Sequence, residues 1–326
     1  MTATSTPWWA KLVGVAPVPA PPHVFALEPQ RLRYGRFARE SGGVRFLESH
    51  AVDLPADAFQ VGPLGGPPRD LDLLRGRLSL LLERLTQPAR EASLILPDAW
   101  LRVGFADAGE LPRADAARHE VLRFKLRRQV PYRVEDLRVE AAEVEPLAGQ
   151  PSDEPRRYVL GFAVESLLAQ LEDLFAERGI HLGLLTNASL SSLSALRSAS
   201  AEDLVGLLLG REDGFVLAVG RHRLPVLHRF KAWEGLPEAA RGELVLRDLR
   251  LTRSFLEQNL PGQRLGRVVV SAAAESESAW LDWVATGLGS PTEPLRREHL
   301  PQLLGDVPPA WREAMPLLGA AALEIE

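Results

Sequence analysis

The chain has 326 residues and no cysteine, which excludes a disulfide framework and any thiolate-held metal. Lysine is almost missing. Of 38 basic residues only Lys11, Lys125 and Lys231 are lysines, so the remaining 35 are arginines, as the coding bias of a GC-rich genome would give. None of the three lysines follows a glycine-rich stretch, so there is no P-loop. There is no G-x-S-x-G elbow and no G-x-G-x-x-G after a strand. No run approaches the roughly 20 apolar residues of a membrane-spanning helix. The best, residues 204–210, is closed by Arg211, Glu212 and Asp213. The N-terminus lacks a secretory pattern, because Lys11 follows Trp8 and Trp9 and four prolines interrupt what comes next. A cytoplasmic location is expected. Acidic residues (43) outnumber basic ones, and no basic block stands apart as a nucleic-acid surface would.

Catalytic groups are scarce in the same way. The seven histidines, among them His222 and His228, show no metal-ligand spacing and read as surface or satisfied core residues. The serine-rich stretch 189–200 carries Leu190, Leu193 and Leu196 three apart, which predicts a small-residue helix packed on a sheet. Glu275 and Glu277 sit at a strand-to-helix junction, where acids favour the helix N-terminus.

What is present is an alternation of strands and helices. Residues 1–22 read as a proline-rich tail. Strand-like runs follow at 23–28, 31–39 and 44–54, then a helix after Asp70 with Leu71, Leu74, Leu78, Leu81 and Leu85 on one face. Strands are predicted at 93–96, 100–105, 137–144, 158–164 and 181–185. Helices are predicted at 115–129, capped by Asp115, at 166–178, ended by Gly179, and at 188–197. A second three-strand group at 204–209, 215–219 and 224–230 precedes a long helix from Pro237, a strand at 268–270, a helix at 277–288 and a last helix from about 309. The strand-strand-strand opening therefore occurs twice. This duplicated plan predicts an α/β protein of the actin-like, ribonuclease-H-like kind, with a tail (1–22), a first lobe (23–186) carrying a small inserted subdomain (about 97–164), and a second lobe (187–326).

One segment is distinctive. Residues 121–139 contain Gln129, Val130, Pro131 and Tyr132 after a helix and Glu135 and Asp136 before a strand. This resembles the "Q-I-P-F, acidic, strand" signature of the PilM family of type IV pilus assembly proteins, with related versions in the cytoplasmic part of GspL of type II secretion. The order of elements over residues 23–323 is similar to that family.

The resemblance implies an actin-like fold whose active members hold ATP and Mg²⁺ between two lobes. The family's first hairpin, D-I-G-S-S, reads Ala26, Leu27, Glu28, Pro29 and Gln30 here. The second, D-I-G, reads Leu208, Leu209 and Gly210. The adenosine turn, G-G-G-A, reads Ala272, Ala273, Ala274 and Glu275. Close approach of backbone to phosphate needs glycine, and proline removes an N–H. The expectation is a pseudo-ATPase that binds neither cofactor nor metal productively. The resemblance also implies a partner: the short cytoplasmic peptide of a PilN-like membrane protein, bound beside the inserted subdomain, with a ring or platform and an assembly ATPase as further contacts. Arg123, Arg127, Arg128 and Tyr132 are the candidates for that groove; the alternative is a core tyrosine and a solvated helix face. A working actin-like ATPase and a GspL-like secretion component stay open as alternatives. The absence of a spanning helix before Glu326 favours the stand-alone pilus form.

Overall fold

A computed structural model describes residues 18–55, 58, 71–130, 133–144, 156–196, 203–211, 214–221, 224–233, 235–260, 262–300, 303–306 and 311–325. The tail with Trp8 and Trp9, the loop 62–68, and Asp70, Pro131, Tyr132 and His222 lie outside them.

After a short strand β1 (Val18–Pro19), the first lobe runs β2 (His23–Glu28), β3 (Arg31–Glu40), β4 (Gly43–Asp53), α1 (Leu71–Leu82) and β5 (Glu91–Leu96). An insertion follows: β6 (Arg102–Ala108), α2 (Asp115–Leu126), β7 (Leu137–Val144) and β8 (Arg156–Val164). The lobe resumes with α3 (Glu165–Ala176), β9 (His181–Asn187) and α4 (Ala188–Ala195). Its sheet orders the strands β4-β3-β2-β5-β9, antiparallel up to β2 and parallel beyond it.

The second lobe repeats the plan as β10 (Leu204–Gly210), β11 (Gly214–Arg221), β12 (Leu224–Ala232), α5 (Glu238–Asn259), β13 (Leu265–Ser271), α6 (Glu277–Leu288) and β14 (Thr292–Pro294). Its sheet is β12-β11-β10-β13-β14, the same order with the same change from antiparallel to parallel. The chain then returns to the first lobe. β15 (Leu303–Leu304) pairs with β4, α7 (Met315–Ala322) packs against the first sheet, and β16 (Glu324–Ile325) pairs with β1.

Period-2 alternation divides each sheet between two cores. On its outer face the first sheet covers Phe25, Tyr34 and Leu94 with leucines of α1 and α3. The second sheet covers Leu208, Phe215 and Val268 with Val245 and Leu249 of α5 and Trp280 and Val284 of α6. The inner faces meet in a shared core. Val24, Ala26 and Ile95 come from one sheet, and Leu207, Leu209 and Val269 from the other, with α4 and α7 between them. The inserted subdomain has its own core, in which Leu122 and Leu126 of α2 press on the sheet β6-β8-β7.

Three differences from the sequence reading have simple causes. β14 and β15 are three and two residues long, too short for a periodic signal. The last helix begins at Met315, not near 309. Asp115 is the first residue of α2 rather than its cap; its carboxylate accepts from Arg118.

The α4–α7 crossing is close. A Cβ on Gly319 would lie 1.6 Å from the Ser191 carbonyl oxygen, and Ser194 Oγ donates to the carbonyls of Ser191 (2.7 Å) and Gly319 (3.1 Å). Gly319→Ala should therefore destabilise the protein by about 3 kcal/mol through overpacking. Gly76→Ala in α1, where an added Cβ meets nothing, should be neutral or stabilising by up to ~1 kcal/mol. Thermal unfolding of the two variants checks this.

Glu48 on β4 ties the sheet to the turn after α1. It accepts from Thr86 N–H (2.8 Å), Thr86 Oγ1 (2.8 Å), His50 Nε2 (2.9 Å) and Arg36 Nε (3.1 Å). Burial alone would raise its carboxyl; the bonds from Thr86, His50 and Arg36 outweigh that and hold it at about 2, below the ordinary 4.5. A depressed carboxylate contributes stability above its unfolded value and loses it as pH falls. Between pH 4.5 and about 2 the wild type should lose stability that Glu48→Gln lacks throughout, as urea midpoints measured across that range would show.

Candidate functional site

The two lobes face each other across a cleft of about 1010 Å³. Its walls are the β2–β3 hairpin, the end of β10, and the turn between β13 and α6; its mouth is crossed by residues 312–316. Six of the seven positions singled out from the sequence line it: Ala26, Glu28, Gly210, Ala272, Ala273 and Ala274. Leu208 does not. Its side chain is fully buried in the outer core of the second lobe, and the neighbouring Leu209 faces the cleft instead. Matching the hairpins by letter put Leu208 opposite Ala26; strand alternation places them on opposite sides of their sheets.

The cleft is crossed by charge pairs internal to the chain. Both oxygens of Glu28 accept from Arg33 Nε at 2.9 Å. Arg33 also donates through Nη2 to Glu313. Arg31 pairs with Asp53 at 3.0 Å and with Glu313 at 3.5 Å. Arg312, the next residue along, reaches Glu277 at the start of α6 at 2.9 Å. An ion-pair chain thus runs from α6 of the second lobe, through residues 312 and 313, to the first hairpin. Each half-exposed pair is worth only about 0–1 kcal/mol. Their effect is positional: the polar groups of the cleft are matched to one another.

Gly210, the glycine kept in the second hairpin, has a packing role. A Cβ there would lie 2.5 Å from Trp280 Cε2. Trp280 is buried against Phe215, Trp233 and Trp283. The indole occupies the space that the missing side chain leaves.

Beside the cleft lies a polar cluster that no local motif announces. Asp98, in the turn after β5, is buried, and its Oδ1 accepts from Ser189 N–H at 3.3 Å and from Ser189 Oγ. Ser189 Oγ is 2.7 Å from His228 Nε2 on β12, which stands 3.6 Å from Asp98. Arg211 follows β10 and approaches Asp98 Oδ2 at 3.7 Å. Burial alone would raise the Asp98 carboxyl, but hydrogen bonding toward His228, the Arg211 charge and the Ser189 hydroxyl hold it below its ordinary value. Serine, histidine and aspartate together suggest a triad, and the geometry rejects one. Asp98 and Ser189 both sit at Nε2, whereas a triad needs the acid on the opposite ring nitrogen. The Ser189 hydroxyl donates to Asp98 and is fully buried. The cluster joins the lobes. Asn187 adds to it by capping α4 through Leu190 N–H (2.8 Å) and donating to the Leu101 carbonyl (2.9 Å).

A second cavity of about 270 Å³ opens at the seam between β6 of the insertion, β12 and α5. Arg102, Arg229, Lys231 and Asp248 stand around it over an apolar floor that includes Val103 and Phe215. Of the residues proposed from the sequence for partner contact, Arg123, Arg127 and Arg128 line neither cavity. Arg123 Nε donates to the Leu137 carbonyl at 3.0 Å and holds α2 to β7. Arg127, the C-cap of α2, and Arg128, in the turn after it, are exposed. Tyr132 is outside the described residues.

No protein-family model matches the sequence, and no curated protein matches it. Among solved structures, a chain of one described as the PilM-PilN type IV pilus biogenesis complex superimposes with a TM-score of 0.69, over 94% of this chain and 96% of that one, at 13% identity. The chain has the actin-like fold, in the form seen in PilM. Similar at lower scores are the cytoplasmic domain of EpsL, an inner-membrane component of the type II secretion system of Vibrio cholerae (TM-score 0.48, 12% identity, 91% of this chain and 93% of that one), and a Bacteroides thetaiotaomicron protein with an actin-like ATPase fold (0.46, 8%, 85% and 91%).

Removing one member of a buried charge cluster leaves the others uncompensated. Asp98→Ala should cost about 3–5 kcal/mol, and Asp98→Asn, which still accepts from Ser189, clearly less. Chemical denaturation near neutral pH measures both. The Asp98 contribution should be complete above the ordinary carboxylate value and fade as pH drops through its lower folded-state value.

Proposed function

We propose that the chain is a scaffold of an inner-membrane assembly platform of the type IV pilus kind, which binds a cytoplasmic segment of a membrane partner and does not hydrolyse ATP. The observation that carries the second half of this reading is the ion-pair chain across the cleft. A magnesium–nucleotide group needs free carboxylates for the metal and backbone N–H groups open to phosphate. Glu28 is already held by Arg33, Pro29 offers no N–H, and Trp280 fills the space at Gly210. Among the described residues no group of three His, Asp or Glu side chains could hold a metal. The residues present do not fit the nucleotide of the fold's active members.

The first half rests on the PilM-like fold, with a PilM–PilN complex as the solved relative in hand. The seat proposed for the partner segment is the seam cavity beside the insertion, where an apolar floor can hold a side chain and Lys231 and Asp248 can pair with backbone or charge. Among the described residues no helix is long and apolar enough to cross a membrane, so in this reading the partner supplies the anchor, and the chain works on the cytoplasmic side.

Titration against the N-terminal cytoplasmic peptide of the inner-membrane protein encoded next to this chain tests the reading. Binding is expected, weakened about tenfold or more by Val103→Asp, which places an unpaired charge on the apolar floor. Millimolar Mg-ATP should neither shift the melting temperature nor alter peptide affinity. A clear thermal shift with Mg-ATP would overturn the pseudo-ATPase half, and failure to bind the peptide by folded protein would overturn the adaptor half.

A further inference from the structure

The inserted subdomain presents a feature that neither cavity explains. Phe124 is 69% exposed, the most exposed large apolar side chain among the described residues. It lies in the last turn of α2, three residues before the C-cap Arg127, and Arg128 follows in the exposed turn that ends the helix. The exposed side is convex, since α2 rests on its sheet through Leu122 and Leu126.

The cations of this segment divide into two sets. Arg123 bonds the Leu137 carbonyl, and Lys125 Nζ donates to the Asp107 carbonyl at 2.8 Å. These two, with Gln129 on the Phe105 carbonyl at 3.0 Å, fasten the helix to β6 and β7. Arg127 and Arg128 have no ion pair with any described residue. The local charge opposes that of the whole molecule. Arg118 is paired with Asp115 and Arg133 stands by Asp136; over residues 115–136 six basic side chains stand against four acids, a net of +2 in a chain whose formal net charge is -5. An exposed phenylalanine beside free arginines on a convex helix is the arrangement that enters the headgroup region of a bilayer. The ring reaches the acyl boundary, and the guanidinium forks bind phosphate oxygens.

We propose that the end of α2 is a membrane-surface contact, in which Phe124 inserts at the interface and Arg127 and Arg128 bind the phosphates of anionic lipids. The charge reversal selects an anionic surface, and the convex shape suits a plane rather than a peptide, which would need a groove or a sheet edge. The contact needs no partner protein and stands apart from the partner reading: a lipid contact and peptide binding can each fail alone.

The test is co-sedimentation of the full chain with vesicles of phosphatidylcholine alone and of phosphatidylcholine mixed equally with phosphatidylglycerol, at low and at physiological salt. Binding should appear with the mixed vesicles only and weaken as salt rises. The double variant R127E/R128E should lower vesicle affinity at least about 20-fold, and Phe124→Ala about tenfold. All three side chains are exposed or half out of the fold, so the melting temperature should be unchanged and certifies folding. Equal binding to both vesicle types, or affinity unmoved by R127E/R128E, would overturn the proposal. So would retention on soluble polyglutamate matching that on vesicles, which marks an acidic-protein site, or vesicle-independent self-association abolished by Phe124→Ala, which marks a contact between copies.

Discussion

The architecture depends on how closely α4 and α7 cross between the two sheets. Two lobes of the same topology can share one core only if something thin and apolar fills the space between their inner faces. Ala188, Leu193 and Ala195 of α4 and Leu317, Leu318, Ala320 and Ala321 of α7 do this, and Gly319 lets the backbones touch. A helix rich in serine can be buried there because its hydroxyls turn back on carbonyls: Ser192 to Ala188 at 2.7 Å and Ser194 to Ser191. The crossing sets the spacing of the sheets, and the spacing sets the width of the cleft above it.

Given that width, the contents of the cleft follow from side-chain chemistry. Arginine at 31, 33 and 312 and acid at 28, 53, 277 and 313 neutralise one another across the opening. Individually weak pairs hold little stability, but together they fix which residues face which. Deeper in, Asp98, Ser189, His228 and Arg211 form a cluster whose buried charge spans both lobes. The molecule thus keeps the lobes in register with its own side chains.

Much of this was legible in the sequence, and the limits are physical. Repeated strand-strand-strand openings separated by amphipathic helices gave the duplicated α/β plan, and strand 137–144 and helix 277–288 fall where periodicity puts them. Of the hairpin positions, Ala26, Glu28 and Gly210 line the cleft, whereas Leu208 faces the other way. A one-residue difference in register is invisible to letter matching and decisive in a pleated strand. The Asp98 cluster joins residues about 90 and 40 positions apart in the chain, and no local pattern encodes such a meeting. Arg123 and Arg127 look alike in the sequence; only the folded chain shows that the first is bonded to Leu137 and the second is exposed at the C-cap.

The return of the chain to its first lobe has a consequence for biosynthesis. β15 lies beside β4 and α7 covers the inner face of the first sheet, yet both follow the whole second lobe in chain order and are made after it. Until then Val24, Ala26, Phe37 and Ile95 have no cover on that side. The nascent first lobe, although its own hydrogen-bonded ladder is complete through β9, must carry a sticky apolar face throughout translation of the second. Such a chain is a natural client for a chaperone that binds during elongation and lets go once β15 and α7 have docked.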